Sequence, residues 1–243
     1  MGELIIEIFA LALASIFCTI ISCAVHELGH ILTGLKEGFK FYLFVVGPFG
    51  LKRDENDKIV FYIEKDVSLW GGLGATIPAN DNSDNYKKFG RVLLGGPIAS
   101  LIFGAIWLPL GIITKHIFFI LLGLTSLAIG MVCLLPLKNG AFYTDGGRWL
   151  RMHKNGKTRA VEMAIWNLTQ NVIIQGSYAK LNFDEIDILI NDDDIRTKYL
   201  GHYYAYCFYK DNENSFGAEK EKEELEKLKE KVPKQMVSMF GID

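Results

Sequence analysis

The chain has 243 residues, half of them hydrophobic, and a formal net charge of −2. This balance argues against a nucleic-acid partner, which would call for a strongly basic surface. The four cysteines include no Cys-x-x-Cys pair, so neither a cysteine zinc site nor a disulfide framework is expected. Charge concentrates from Trp149 onward, with 14 Lys or Arg and 16 Asp or Glu, against 12 and 12 in the longer part before it. We therefore predict a membrane part followed by a soluble part.

Three apolar segments are long enough to cross a bilayer, at about 4–32, 89–113 and 117–137. Each meets the roughly 20 residues that a spanning helix needs. The first is not a convincing signal peptide, because it lacks a basic start and its apolar stretch is too long. The fold class predicted is mainly α: a polytopic membrane helix bundle in residues 1–150 and a helical soluble tail in 151–243.

The distribution of basic residues predicts the orientation of these segments. Lys36 and Lys40 follow the first segment and a cluster of Lys and Arg follows the third, whereas only Lys115 separates the second from the third. Because basic residues favour the cytoplasmic side, the connection at 35–88 and the tail are predicted to be cytoplasmic. The expected location is the cell membrane, with several passes.

The parts outside the membrane have their own patterns. The connection at 38–78 is β-rich, with two strand-like runs joined by a polar turn and a Gly-rich stretch at 70–78 that we expect to be irregular. In the tail, the segments 160–176, 199–209 and 218–232 are predicted helices. The acidic run Asp192, Asp193 and Asp194 is typical of a turn and helix N-cap.

The sequence CAVHELGHILTGL places His26, Glu27 and His30 at the end of the first apolar segment. In an HExxH pattern on a helix, both histidines lie on one face, where they can bind Zn²⁺, and the Glu can take a proton from bound water. The alternative is a pair of buried histidines without metal. Ionisable groups at membrane depth are rare and usually functional, which favours the metal.

A catalytic zinc usually has three protein ligands and one water. A metzincin pattern would need Gly and His where the chain has Thr33 and Lys36. A downstream glutamate is the second option, but no candidate lies on an identifiable second helix; the candidates are Glu37, Glu55 and Glu64. Asp145 is the better candidate, because it follows the third apolar segment closely and should emerge on the same side as the histidines. A helix N-cap is its alternative role.

The motifs HELGH in the first segment, GGP at 95–97 and LLP…TDGGR after the third segment together resemble the site-2 protease family of intramembrane zinc metalloproteases. The resemblance covers about residues 4–150. It implies one zinc held by His26, His30 and Asp145, with Glu27 as the general base. It also implies that a substrate region is shaped by four residues: Gly95, Gly96, Pro97 and Gly146.

The chain departs from the family pattern at three points. Ser100 and Cys133 stand where the family often has Asn, and the stretch from Pro136 to Asp145 is longer than the common form. These differences bear on the contacts with a substrate strand more than on the metal. The connection at 35–88 is too short for a PDZ domain, so a minimal member with a tail of its own is expected.

The expected function is hydrolysis of peptide bonds in membrane-spanning substrates, either regulators or peptide precursors. The alternative is a non-proteolytic membrane zinc-binding or sensor protein. Glu27 separates these hypotheses, because a purely structural site has no use for a base beside the metal. Two roles of the tail stay open, recruitment of substrates and self-association into a homo-oligomer.

Overall fold

The computed structural model describes residues 2–54, 56–80 and 82–240, and it is mainly helical, at 69%. Its internal contacts divide the chain into two compact units, Met1–Leu135 and Pro136–Asp243. Sequence reasoning placed the boundary after residue 150. The units divide just after the third long helix ends at Leu134, so the segment around Asp145 belongs to the second unit.

Three long helices dominate the first unit: α1 (Gly2–Lys36), α2 (Asn85–Thr114) and α3 (Ile117–Leu134). Each is long and apolar enough to cross a membrane, which agrees with the three predicted segments. The helices approach closely through small residues. A Cβ on Gly104 would lie 2.8 Å from the carbonyl oxygen of Gly123, so neither helix could tolerate a larger residue there without moving.

The connection between α1 and α2 folds into an antiparallel sheet in the order β3-β2-β1-β4. Its strands are β1 (Phe39–Val46), β2 (Phe49–Arg53), β3 (Ile59–Ile63) and β4 (Leu73–Pro78). The β-rich prediction is confirmed, but the expected irregular stretch at 70–78 contains β4. Leu73, Ala75 and Ile77 alternate along it, and this period of two suits a strand despite the glycines.

The second unit begins with a short hairpin, β5 (Lys138–Asn139) and β6 (Phe142–Tyr143). The helices of this unit are α4 (Asp145–His153), α5 (Lys157–Gln175), α6 (Phe183–Ile190), α7 (Ile195–Asp211), α8 (Ser215–Leu228) and α9 (Lys234–Phe240). The helical tail is confirmed, and α5, α7 and α8 match the three segments that were predicted. Leu168, Ile186 and Leu200 are fully buried in its apolar core. The predicted cap is present, since the Asp194 carboxylate accepts hydrogen bonds from two amides of the first turn of α7.

Candidate metal centre

The two histidines of the HExxH pattern lie on the buried face of α1. His26 is 5% exposed and His30 is 8% exposed, and their Nε2 atoms are 3.3 Å apart. In a tetrahedral zinc site with Zn–N distances of about 2.0–2.1 Å, two ligand nitrogens lie about 3.3–3.4 Å apart. The pair therefore has the spacing of two ligands of one zinc ion.

The other ring nitrogens have partners in α2. His30 Nδ1 lies 2.7 Å from the Val92 carbonyl oxygen, which can only accept, so Nδ1 carries the hydrogen and Nε2 is left with a lone pair. His26 Nδ1 lies 3.0 Å from Ser100 Oγ. Histidine ligands usually donate their second N–H to such a partner. The sequence did not reveal these partners, and Ser100 drew attention only as a departure from the family pattern.

The contact between the two rings also suits a simpler arrangement. If His26 carried its hydrogen on Nε2, that N–H could donate to the Nε2 lone pair of His30 at 3.3 Å, and the Ser100 hydroxyl would donate to His26 Nδ1. This is the metal-free pair of buried histidines that the sequence left as an alternative. A measurement of zinc binding distinguishes the two arrangements, because only the first leaves both Nε2 lone pairs available to a metal.

Glycines allow the backbone of α2 to approach the motif. A Cβ on Gly96 would lie 2.3 Å from His30 Nε2, and a Cβ on Gly95 would lie 2.5 Å from the Gly29 carbonyl oxygen. The next residue, Pro97, is fully buried inside α2. These residues were assigned to the substrate region on the resemblance alone. The structure shows that Gly95 and Gly96 pack against the motif helix, and contact of the three residues with a substrate stays a prediction.

Glu27 lies close to the backbone of the sheet at its Gly-rich end. A Cβ on Gly72 would lie 2.9 Å from Glu27 Oε1, and a Cβ on Gly74 would lie 2.9 Å from Oε2. Gly74 belongs to β4, which is the terminal strand in the sheet order and pairs with β1 on one side. The carboxylate thus lies against the backbone of a sheet edge, in a space that side chains on these glycines would fill.

Within the first unit, the Cys133 Sγ atom lies within 4.8 Å of a ring nitrogen of His26, so these two side chains could bind the same metal ion. Asp145 is the first residue of α4, and Thr144 occupies the N-cap, so the alternative role predicted for Asp145 is not the one observed. Sequence reasoning missed Cys133, whose only signal was its position just before the LLP sequence.

A buried ion-pair cluster anchors α4 within the second unit. The Glu162 carboxylate on α5 is 3% exposed and accepts from Arg151 Nε at 2.9 Å and from Arg148 Nε at 3.3 Å. Both arginines follow Asp145 and the buried Gly146 on α4. Sequence reasoning predicted only a helix over 160–176 and did not single out Glu162. The two ion pairs fix how α4 is rotated against α5.

The remaining candidates have other partners. Glu37 forms a two-point ion pair with Arg91 at 2.6 and 2.7 Å, and this hydrogen-bonded guanidinium lowers the pKa of the Glu37 carboxyl. Glu64 accepts from the Tyr62 hydroxyl at 3.0 Å, and Glu55 lies outside the described residues. The exposed His153 is 2.8 Å from the Trp149 carbonyl oxygen.

Comparisons with models of protein families, with curated proteins and with solved structures yield no match for this chain.

Proposed function

We propose that this protein is an intramembrane zinc endopeptidase of the site-2 protease type, with one zinc per chain. The observation that supports this best is the pair of buried imidazoles, whose Nε2 atoms are 3.3 Å apart and whose Nδ1 atoms are both hydrogen-bonded. In histidines that bind a metal, the ring nitrogen that does not bind the metal typically has such a hydrogen-bond partner. A half-buried carboxylate, Glu27, adjoins them in the motif.

The proposed ligands are His26, His30 and Asp145, the usual set of three that leaves one position for water. When bound, zinc would polarise a carbonyl and lower the pKa of its water. Glu27 would accept the proton of that water and return it to the leaving amine. Ser100 and the Val92 carbonyl would hold the rings in the orientation that directs both Nε2 lone pairs to one point.

The proposed substrate is a membrane-spanning protein or peptide precursor. The amides of a spanning helix are hydrogen-bonded within the helix, so cleavage requires local unwinding. An unwound segment can satisfy its amides by adding to a sheet edge. The edge strand β4 borders Glu27, and Gly72 and Gly74 leave space there. We therefore propose that the substrate pairs with β4 next to the general base.

The proposed setting follows the distribution of charge. The sheet and the second unit would lie on the cytoplasmic side of the cell membrane, because the basic residues follow the first and third apolar helices. The second unit would then meet the cytoplasmic part of a substrate or a second copy of the chain.

The test is Glu27→Gln, which keeps the size of the side chain and removes the base. Protein termini that arise inside membrane segments would be counted in cells that express the wild type and in cells that express the variant. We expect cleavage to fall by a factor of about 10² or more, while one zinc stays bound. The variant Glu3→Gln is the matched control and should cleave like the wild type. Equal cleavage by Glu27→Gln, or a wild type that binds no zinc, would contradict the proposal.

One observation favours the second candidate, a non-proteolytic membrane zinc protein or sensor. The Cys133 Sγ atom lies within 4.8 Å of a ring nitrogen of His26, one of the proposed ligands. Four protein ligands would close the coordination sphere, as in structural zinc sites. Under this alternative, zinc would bind tightly and no variant at Glu27 or Cys133 would change any cleavage pattern.

A further inference from the structure

Cys133 lies one residue before the end of α3, half-buried. Its Sγ atom is within 4.8 Å of a ring nitrogen of His26. Both residues belong to the first unit. A thiolate is among the preferred ligands of zinc, with Zn–S about 2.3 Å. In a tetrahedral site, a ligand sulfur and a ligand nitrogen would therefore be about 3.6 Å apart, so a side-chain shift of about 1 Å suffices.

We propose that Cys133 is a fourth ligand, which closes the metal site in a resting state and leaves it when the enzyme acts. This inference rests on the proposed function and deepens it. With Cys133 bound, no position remains for water. With Cys133 released, three ligands remain and water can enter, which is the arrangement of catalytic zinc sites.

The charge balance supports this resting state. Two neutral imidazoles and one carboxylate leave a net charge of about +1 on a zinc site, whereas an added thiolate makes it neutral. Burying a net charge in a membrane-embedded unit is costly, and pairing it reduces that cost. If Cys133 leaves as a thiol, having taken up one proton, the three remaining ligands would again give the zinc site a net charge of about +1.

The other cysteines provide a matched control. Cys18 donates to the Phe118 carbonyl oxygen at 3.7 Å. Cys207 lies on α7 in the second unit, and it is half-buried like Cys133. Burial raises the pKa of the Cys207 thiol, so it is a weak ligand in its own surroundings. Cys207→Ser therefore changes a thiol of similar exposure without changing the proposed ligand set.

The experiment loads the full-length protein in nanodiscs with Co²⁺ and records its absorption. A cysteine thiolate bound to Co²⁺ gives a sulfur-to-metal charge-transfer band in the near ultraviolet. We expect this band in the wild type and in Cys207→Ser and not in Cys133→Ser, with one Co²⁺ bound in all three. One bound Co²⁺ without the band in the wild type overturns the inference and leaves the proposed function intact. Failure to bind any metal contradicts the proposed function itself.

Cleavage provides the second readout. If the closed form holds about nine molecules in ten, Cys133→Ser should cleave about tenfold faster than the wild type, because all of its sites are open. Unchanged or slower cleavage by a folded, metal-loaded Cys133→Ser would refute the gating role.

If this variant does not fold, alkylation of the wild type is the test. Zinc should protect Cys133 from the reagent and leave Cys207 as reactive as in the protein from which zinc has been removed by a chelator. Equal labelling of Cys133 with and without zinc would overturn the inference.

Discussion

The same apolar residue types are exposed on the long helices of the first unit and buried in the core of the second unit. In α1, Phe9 is 64% exposed and Ile16 is 59% exposed, whereas Leu168 and Ile186 in the second unit have no exposed surface. Apolar side chains on a spanning helix are solvated by lipid, so burying them between helices gives no hydrophobic gain. If the three long helices span a membrane, the first unit is held together by close approach at small residues, whereas the second unit has a buried apolar core.

The buried polar groups differ in the same way. In the first unit they form an uncharged chain, in which Ser126 Oγ donates to the Ser100 carbonyl oxygen at 3.0 Å and Ser100 Oγ contacts His26 Nδ1. The second unit buries charges instead, with Glu162 between two arginines and His202 2.6 Å from Glu221. Charges cost more than neutral polar groups at membrane depth, so this difference is the one expected if the long apolar helices of the first unit span a membrane.

The largest effect should come from breaking the buried charge cluster of the second unit. Glu162→Ala would leave Arg148 and Arg151 without their shared carboxylate, and loss of one partner from a buried pair costs about 3–5 kcal/mol. We expect faster hydrogen exchange across α4 and α5 in the full-length protein, measured by mass spectrometry. The control Glu219→Ala removes an exposed carboxylate from α8 and should stay within about 0.5 kcal/mol of the wild type. Unchanged exchange in Glu162→Ala would show that the cluster does not anchor α4.

The next effect concerns close approach in the first unit. Gly96→Ala would place a Cβ 2.3 Å from His30 Nε2, so the ring or the helix must move. Alanine is the better helix former, so a loss cannot come from helix propensity. We expect zinc affinity to fall about 100-fold or more, measured by competition with a chelator. Gly71→Ala, where a Cβ would meet open space, is the control, and equal affinities in both variants would refute the packing argument.

A smaller effect should follow from the hydroxyl that orients His26. Ser100→Ala removes the partner of Nδ1 at 3.0 Å and leaves the ligand atoms in place. Loss of such a partner typically lowers metal affinity by a factor of about 10–100. The same competition measurement checks it, with Ser15→Ala as control, because Ser15 Oγ bonds only to the Leu11 carbonyl oxygen of its own helix. Wild-type affinity in Ser100→Ala would show that the Ser100 hydroxyl does not orient His26 for the metal.

Much of this protein could be read from local patterns. The long apolar runs predicted α1, α2 and α3, because the thickness of a bilayer sets a length that few other structures require. The Asp194 cap and the helices α5, α7 and α8 followed from rules that act within a few residues. The strand β4 within 70–78 was not predicted, because its glycines obscure the alternation of apolar side chains that is typical of a strand. In the structure it pairs with β1.

The HELGH motif alone identified His26 and His30 as neighbours, because residues four apart on a helix share a face. Their partners in Ser100 and Val92, the space at Gly96 and the proximity of Cys133 to His26 depend instead on contacts over 60 or more positions of the chain. No periodicity encodes such contacts. They arise when helices pack, and the depth and rotation of each helix then select which side chains meet.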